Sequence, residues 1–147
     1  MSQTENREKF LANVPLFSGL HARQLRQLAQ RFVSRKYQPN EYIVSQGKGG
    51  AGMFTIVSGR AEAVLETPDG DKIVVNTFGP NDFFGEIALL DDGPRTASVI
   101  ATEETECLIL SRPDFIAIMQ NDAEMGVVIA TELANRIRKL INSFGTR

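Results

Sequence analysis

Residues 83–97 have the sequence Phe83-Phe84-Gly85-Glu86-Ile87-Ala88-Leu89-Leu90-Asp91-Asp92-Gly93-Pro94-Arg95-Thr96-Ala97. Gly85 lets a ligand approach the backbone closely, and residues 86–90 are predicted to form one helical turn with outward N–H groups at its start. Arg95 supplies a planar, permanently charged fork that can pair with two phosphate oxygens. Pro94 fixes the backbone angle just before it. These features are typical of a site for an anionic ligand.

The carboxylate of Glu86, at the start of the same turn, narrows the chemistry of that ligand. It would repel a bare phosphate, but a carboxylate accepts hydrogen bonds from sugar hydroxyls. A phosphorylated sugar therefore fits both charges. The residues leave one alternative equally open, in which Glu86 and Arg95 simply pair with each other on a surface loop.

Short β-rich segments lie on both sides of this stretch. The predicted strands are residues 42–44, 53–57, 61–66, 73–78, 97–102 and 107–110. Ser58-Gly59 and the segment 68–71 are predicted hairpin turns, since Gly and Asp tolerate the backbone angles that such turns need. Many short strands with regular turns favour an antiparallel sandwich or barrel over a parallel sheet.

Helical patterns precede and follow the strands. Ser2 and Glu5 have capping-box spacing ahead of a short helix over 7–13, which Pro15 interrupts. A second helix is predicted because four apolar residues share one face: Leu25, Leu28, Ala29 and Phe32. Three arginines, Arg23, Arg26 and Arg31, are directed elsewhere and are expected to form a solvated face.

Two further helices are predicted after the strands. The first begins at Ser111-Arg112-Pro113-Asp114, which provides a cap and an early proline, and the second spans 123–144. The second carries an apolar stripe of Ile129, Leu133, Ile137, Leu140 and Phe144. Packing on the chain's own β structure is the simplest explanation of this stripe, and contact with a second copy is the main alternative.

Composition excludes several classes of function. The 147 residues fit one domain, and a net charge of -2 gives no general attraction for nucleic acid. His21 and Cys107 are the only His and Cys, which excludes a zinc finger or a multi-histidine metal site. Cys107 lies in an apolar run and is expected to be a buried structural thiol. No run approaches the roughly 18 apolar residues of a membrane helix, and the polar start is not a signal peptide, so we expect a cytoplasmic protein.

The segment Gly47-Lys48-Gly49-Gly50-Ala51-Gly52 matches the G-x-G-x-x-G dinucleotide fingerprint. That fingerprint requires a helix that begins at the glycines, whereas residues 53–59 are predicted to form a strand that enters a hairpin. We therefore interpret the segment as a flexible turn.

Residues 84–90, followed by Pro94-Arg95-Thr96-Ala97, resemble the phosphate-binding cassette of the cyclic nucleotide-binding domain family. The likeness extends along nearly the whole chain, since residues 14–20 resemble the family's helical entry and residues 56–61 its early hairpin. The resemblance implies a mainly β fold with flanking α-helices: an antiparallel, jelly-roll-type β-roll (33–111, with the cassette at 83–97) between an N-terminal helical segment (1–32) and a C-terminal helical lid (112–144).

The resemblance also implies a role for each residue of the cassette. Glu86 would accept from the ribose 2'-hydroxyl and Arg95 would pair with the cyclic phosphate. Backbone N–H groups around Gly85, Ile87 and Ala88 would cradle the ribose phosphate, and Thr96 would add a hydroxyl. In the family a residue of the last helix often covers the base; by alignment this is Leu140 or Ile141 here, or a polar neighbour: Arg136, Arg138 or Asn142.

The function implied is a regulatory sensor that binds cAMP, or less favourably cGMP, without catalysis or a catalytic cofactor. Binding would be transmitted by movement of the C-terminal helix. Only residues 145–147 follow that helix, whereas the catabolite-activator branch carries a DNA-reading module there. We therefore expect the effector to be another polypeptide or a missing domain. A homodimer through the helix is possible, and no direct contact with nucleic acid or membrane is expected. Two alternatives are a protein-interaction domain of the same fold with a different or lost ligand, and a cupin-type enzyme, which the single His disfavours.

Overall fold

The computed structural model describes residues 3–49, 52–91 and 93–145. These divide into two compact units. One unit contains the described residues up to Gln30 together with those from Ala117 onward, and the other contains Arg31–Ile116. The capping residue Ser2, predicted to start the first helix, lies outside the described residues.

The unit Arg31–Ile116 contains two four-stranded antiparallel sheets. The described strands are β1 (Val33–Tyr37), β2 (Tyr42–Val44), β3 (Gly52–Ser58), β4 (Ala61–Glu66), β5 (Lys72–Phe78), β6 (Phe83–Phe84), β7 (Ser98–Ala101) and β8 (Thr105–Ser111). They are arranged in the orders β1-β8-β3-β6 and β2-β7-β4-β5. The predicted antiparallel β-roll is confirmed.

All six predicted strands are present, and two strands were missed. The strand expected over 97–102 is shorter and runs from Ser98 to Ala101. β1 was missed because its sequence, Val-Ser-Arg-Lys-Tyr, carries two charges, and four of its five residues are exposed. β6 has only two residues, too few to show an alternating pattern. Gly59 and Gly70 have positive φ at the two predicted hairpin turns.

The interior of the roll is aromatic and aliphatic. The ring of Phe84 stacks on Phe54, with centroids 5.1 Å apart and planes 2° apart, and also contacts Phe78. Cys107 belongs to the same core and is fully buried. Burial raises the pKa of its thiol to about 12, so the expected buried structural thiol is confirmed.

The outer strands of the two sheets differ in character. β1 exposes Arg35 and Lys36, whereas β5 exposes about half of each of three consecutive aliphatic side chains: Ile73, Val74 and Val75. The register of β5 shifts at its centre, where Ala63 pairs with Asn76 and Val64 pairs with Val74. This bulge leaves Val75 without a directly opposite residue on β4.

In the helical unit, α1 (Gln3–Ala12) and α2 (Ala22–Ala29) are joined through a 3₁₀ turn at Pro15–Phe17. Leu28 and Ala29 are buried as predicted. Phe32 was wrongly placed on the helix: α2 ends at Ala29, although the Phe32 side chain is buried. The expected solvated arginine face is present, with Arg26 bonded to Glu8 at 3.1 Å in a largely exposed pair.

Two helices follow β8: α3 (Arg112–Gln120) and α4 (Ala123–Gly145). The hydroxyl of Ser111 accepts from the Asp114 amide at 3.2 Å, which confirms the predicted cap of α3.

The α4 stripe is buried at Ile129, but Ile137, Leu140 and Phe144 are each more than half exposed. Packing within the chain therefore explains only the first part of the stripe. Among the described residues, none of the helices combines the length and the apolar character of a membrane span.

Candidate functional site

A cavity of about 430 Å³ opens within the unit Arg31–Ile116. This volume lies in the range of small-molecule sites. All six residues predicted from the cassette line it: Gly85, Glu86, Ile87, Ala88, Arg95 and Thr96. The fold thus brings the two halves of the cassette, 85–88 and 95–96, to one site.

Gly85 shapes the entrance to the cassette turn. Its φ is +79°, in the left-handed region that favours glycine, and the residues after it form a 3₁₀ turn, Glu86–Leu89. The Ala88 amide donates to the Gly85 carbonyl at 3.0 Å. The first N–H groups of such a turn have no partner within it. The predicted helical turn is present, in 3₁₀ form.

One nitrogen of the Arg95 guanidinium is hydrogen-bonded, whereas another has no hydrogen-bond partner. Its Nη2 donates to the Gly52 carbonyl at 2.7 Å, while Nε is buried and has no hydrogen-bond partner. The guanidinium carbon lies 5.9 Å from the centroid of the Phe54 ring, within cation–π range. A buried donor without an acceptor is energetically costly, and an anion in the cavity would supply that acceptor.

Two opposing influences act on the charge of this side chain. Burial lowers the pKa of Arg95, and the nearby Glu86 carboxylate acts in the opposite direction by favouring the charged form. Both side chains are partly buried and line the cavity. This is not the exposed pair on a surface loop that the sequence left open as an alternative.

The glycine-rich segment before β3 holds the backbone of Arg95. The Gly47 amide donates to the Arg95 carbonyl at 2.8 Å, and the Arg95 amide donates to the Lys48 carbonyl at 2.8 Å. Gly49 also forms an isolated antiparallel bridge with Pro94.

The dinucleotide reading of this segment was correctly rejected, because a strand and not a helix begins at Gly52. The segment nevertheless contributes to the site, which its interpretation as a flexible turn does not predict. The glycine content alone did not reveal that the segment pairs with the cassette.

The other side of the cavity is apolar. Each strand of the sheet β2-β7-β4-β5 contributes one residue to the lining: Val44, Val99, Ala63 and Phe78. Phe84 of the other sheet adds an aromatic surface. The cavity therefore presents a charged end and an apolar end, which suits a ligand with an anionic group and a flat, weakly polar ring. The described residues include no group of three His, Cys, Asp or Glu that could hold a metal ion.

Several known proteins are similar to this chain. Residues 34–122 match the family model of the cyclic nucleotide-binding domain. The chain is 41% identical over 99 residues to a cAMP-dependent protein kinase regulatory subunit of Mycosarcoma maydis, covering 67% of this chain. It is 33% identical over 125 residues to a cyclic AMP receptor protein of Thermus thermophilus, covering 85% of this chain.

A similar fold has been solved for the N-terminal domain of a transcriptional regulator from Streptomyces coelicolor, with a TM-score of 0.82 and 26% identity. That match covers 89% of this chain and 94% of the solved domain. The curated relatives are longer: the match spans 19% of the kinase regulatory subunit and 58% of the receptor protein.

Proposed function

Because the chain belongs to the cyclic nucleotide-binding domain family, we propose that it is a single ligand-sensing module of a regulatory protein, which binds a cyclic nucleotide in the cavity around Arg95. The observation that carries this proposal is the buried Nε of Arg95, which lacks an acceptor beside an otherwise anchored guanidinium. A phosphate oxygen supplies that acceptor and a counter-charge together.

The remaining cassette residues fit the rest of the ligand. Glu86 accepts a hydrogen bond from the ribose 2'-hydroxyl, and the amides around Gly85, Ile87 and Ala88 cradle the ribose phosphate. The exposed hydroxyl of Thr96 adds a further hydrogen bond. The base then lies towards the apolar end of the cavity.

We propose cAMP over cGMP as the ligand, because the two relatives described above are named for cAMP. The residue that covers the base is proposed to come from α4. Leu140 and Ile141 are the apolar candidates, and both are about 60% exposed within the single chain.

The output is proposed to run through the C-terminal helices. Phosphate binding draws the cassette around Gly85 inward and thereby releases or recruits the hinge near Asn121 and Asp122, between α3 and α4. The exposed part of the α4 stripe then contacts an effector or a second copy of the chain. No catalytic step is assigned, and the relatives are named as a protein kinase regulatory subunit and a cyclic AMP receptor protein.

Calorimetric titration with cAMP, cGMP and a cyclic dinucleotide tests the proposal. We expect saturable 1:1 binding of cAMP, weaker binding of cGMP and none of the dinucleotide. Absence of binding by all three would reject a nucleotide sensor and favour a protein-interaction domain on the same fold.

A further inference from the structure

Gln46 connects three segments beside the cavity. Its amide donates to the hydroxyl of Ser98 at 2.8 Å, at the start of β7. Its side chain makes two bonds to the backbone of Glu66 at the end of β4: Oε1 accepts from the Glu66 amide at 2.8 Å, and Nε2 donates to the Glu66 carbonyl at 3.2 Å. Gln46 and Glu66 are partly buried, and Ser98 is buried.

The bonds to Glu66 replace a rung of the sheet. In the β4–β7 ladder, Ala63 pairs with Val99 and Val64 pairs with Ser98. Two residues further in the same register, Thr96 would lie opposite Glu66. The side chain of Gln46 bonds the amide and carbonyl that this pair would use, so β7 begins only at Ser98 and the cassette before it separates from β4.

The separated segment is then held by the residues that directly follow Gln46. The Gly47 amide and the Lys48 carbonyl bond the backbone of Arg95, each at 2.8 Å. Gly47 and Lys48 are exposed, so the position of this loop depends on an anchor at its base. Gln46 is that anchor, since it binds β4 and β7 at once.

We propose that Gln46 is a positioning residue for ligand binding, which fixes the backbone of Arg95 by occupying the place of Thr96 on β4. Gln46 is not among the described residues that line the cavity, so it acts through Arg95 and not on the ligand. The inference rests on the proposed function insofar as the ligand is a cyclic nucleotide.

A double-mutant cycle on the full chain tests the coupling. Calorimetry with cAMP is performed on wild type, Gln46→Ala, Arg95→Ala and the double variant. Loss of the two side-chain hydrogen bonds to Glu66 is expected to weaken cAMP binding about tenfold in the presence of Arg95, and by less than about threefold in the Arg95→Ala background. Equal losses in both backgrounds, or an unchanged affinity of Gln46→Ala, would overturn the proposal.

Gln38→Ala serves as the matched control, because Gln38 is an exposed glutamine in the β1–β2 turn of the same unit. It is expected to bind cAMP as wild type does. A loss of affinity in this variant equal to that of Gln46→Ala would also count against a specific role for Gln46.

A second measurement does not depend on the ligand. Hydrogen exchange of the ligand-free protein should show faster exchange of the Gly47 and Arg95 amides in Gln46→Ala, and unchanged exchange of the Ala101 amide, which bonds Glu41. Unchanged Gly47 and Arg95 amides would overturn the positioning role. If wild type binds no cyclic nucleotide, the proposed function fails, while this measurement still decides the role of Gln46 in the cassette.

Discussion

Gly85 and Arg95 lie so close that a methyl group on Gly85 would collide with Nη1 of Arg95 and would come within 2.8 Å of the Gly52 carbonyl oxygen. The same carbonyl accepts the hydrogen bond from Arg95. The glycine is therefore required twice, by its positive φ and by the space that the guanidinium occupies.

Gly85→Ala should consequently reduce both stability and binding. We expect a loss of about 1 to 3 kcal/mol in the free energy of unfolding, together with weaker cAMP binding because Arg95 is displaced. Gly70→Ala is the matched control: Gly70 also has a positive φ, but a Cβ there meets nothing within 4 Å. Chemical denaturation and calorimetry should show an affinity loss in Gly85→Ala alone, and equal affinities would contradict the steric argument.

Arg95→Ala should remove most of the ligand affinity, by an amount on the order of 2 to 5 kcal/mol for a desolvated charge pair. Arg95→Lys should recover little, because one ammonium cannot serve both the Gly52 carbonyl and a phosphate. The control is Arg23→Ala, on the exposed face of α2. Near-unchanged binding of cAMP to Arg95→Ala in calorimetry would reject the assigned site.

Ligand binding should change amide exchange in the C-terminal helices. We expect cAMP to alter the exchange rates of residues 113–144, which cover the hinge near Asn121 and Asp122, because a regulatory output requires two states that bind the ligand unequally. Hydrogen exchange with mass spectrometry, with and without cAMP, measures this. Unchanged rates at saturating ligand would require us to abandon transmission through these helices.

Asp122 should make the stability of the helical unit depend on acid pH. It accepts from the Met125 amide and from the buried side chain of Gln24, and these two bonds lower its pKa below the ordinary 3.8. The stabilisation is present above pH 3.8 and is lost as the pH falls through the lower folded value. Denaturation should therefore show a penalty for Asp122→Ala at neutral pH that shrinks in strong acid. The exposed turn residue Asp69 provides the comparison as Asp69→Ala, and a penalty for Asp122→Ala that does not vary with pH would exclude this linkage.

Cys107 should impose the opposite dependence at alkaline pH. Burial raises the pKa of its thiol from the ordinary value of 9.0 to about 12 in the folded protein. The unfolded thiol therefore ionises first, and native stability should fall above pH 9 by about 1.4 kcal/mol per pH unit. Cys107→Ala lacks this contribution, so its stability deficit relative to wild type should shrink between about pH 8 and about pH 10. A constant deficit in denaturant titrations would show that the thiol does not titrate in this way.

Much of the fold could be predicted, because the sequence signals that indicate its strands, turns and helix caps act over short stretches of the chain. Hairpin glycines, alternating strands and the cap at Ser111 each act over a few residues, and the cassette places Gly85 and Arg95 ten residues apart in sequence. The two strands that were not predicted depend on pairing between residues far apart in the sequence. The exposed edge strand β1 and the two-residue β6 form only because β8 and β3 lie beside them.

The site shows the same division. Glu86 and Arg95 were predicted as site residues from charge and spacing, but the partners of Arg95 were not predicted. Gly52 lies 43 residues away from it, and no local pattern shows which backbone carbonyl a guanidinium will reach. The role of Gln46 was hidden for the same reason, since a glutamine that completes a sheet is indistinguishable in sequence from one in solvent.

The bulge at Val75 has a consequence for the behaviour of the protein at high concentration. β5 is an outer strand with three half-exposed aliphatic side chains, and such an edge invites strand addition by neighbouring molecules, the first step of β-aggregation. A continuous ladder over its seven residues would be a template for that growth. The shifted register breaks the even spacing of its unpaired backbone groups at the midpoint, so an incoming strand can match only one half at a time.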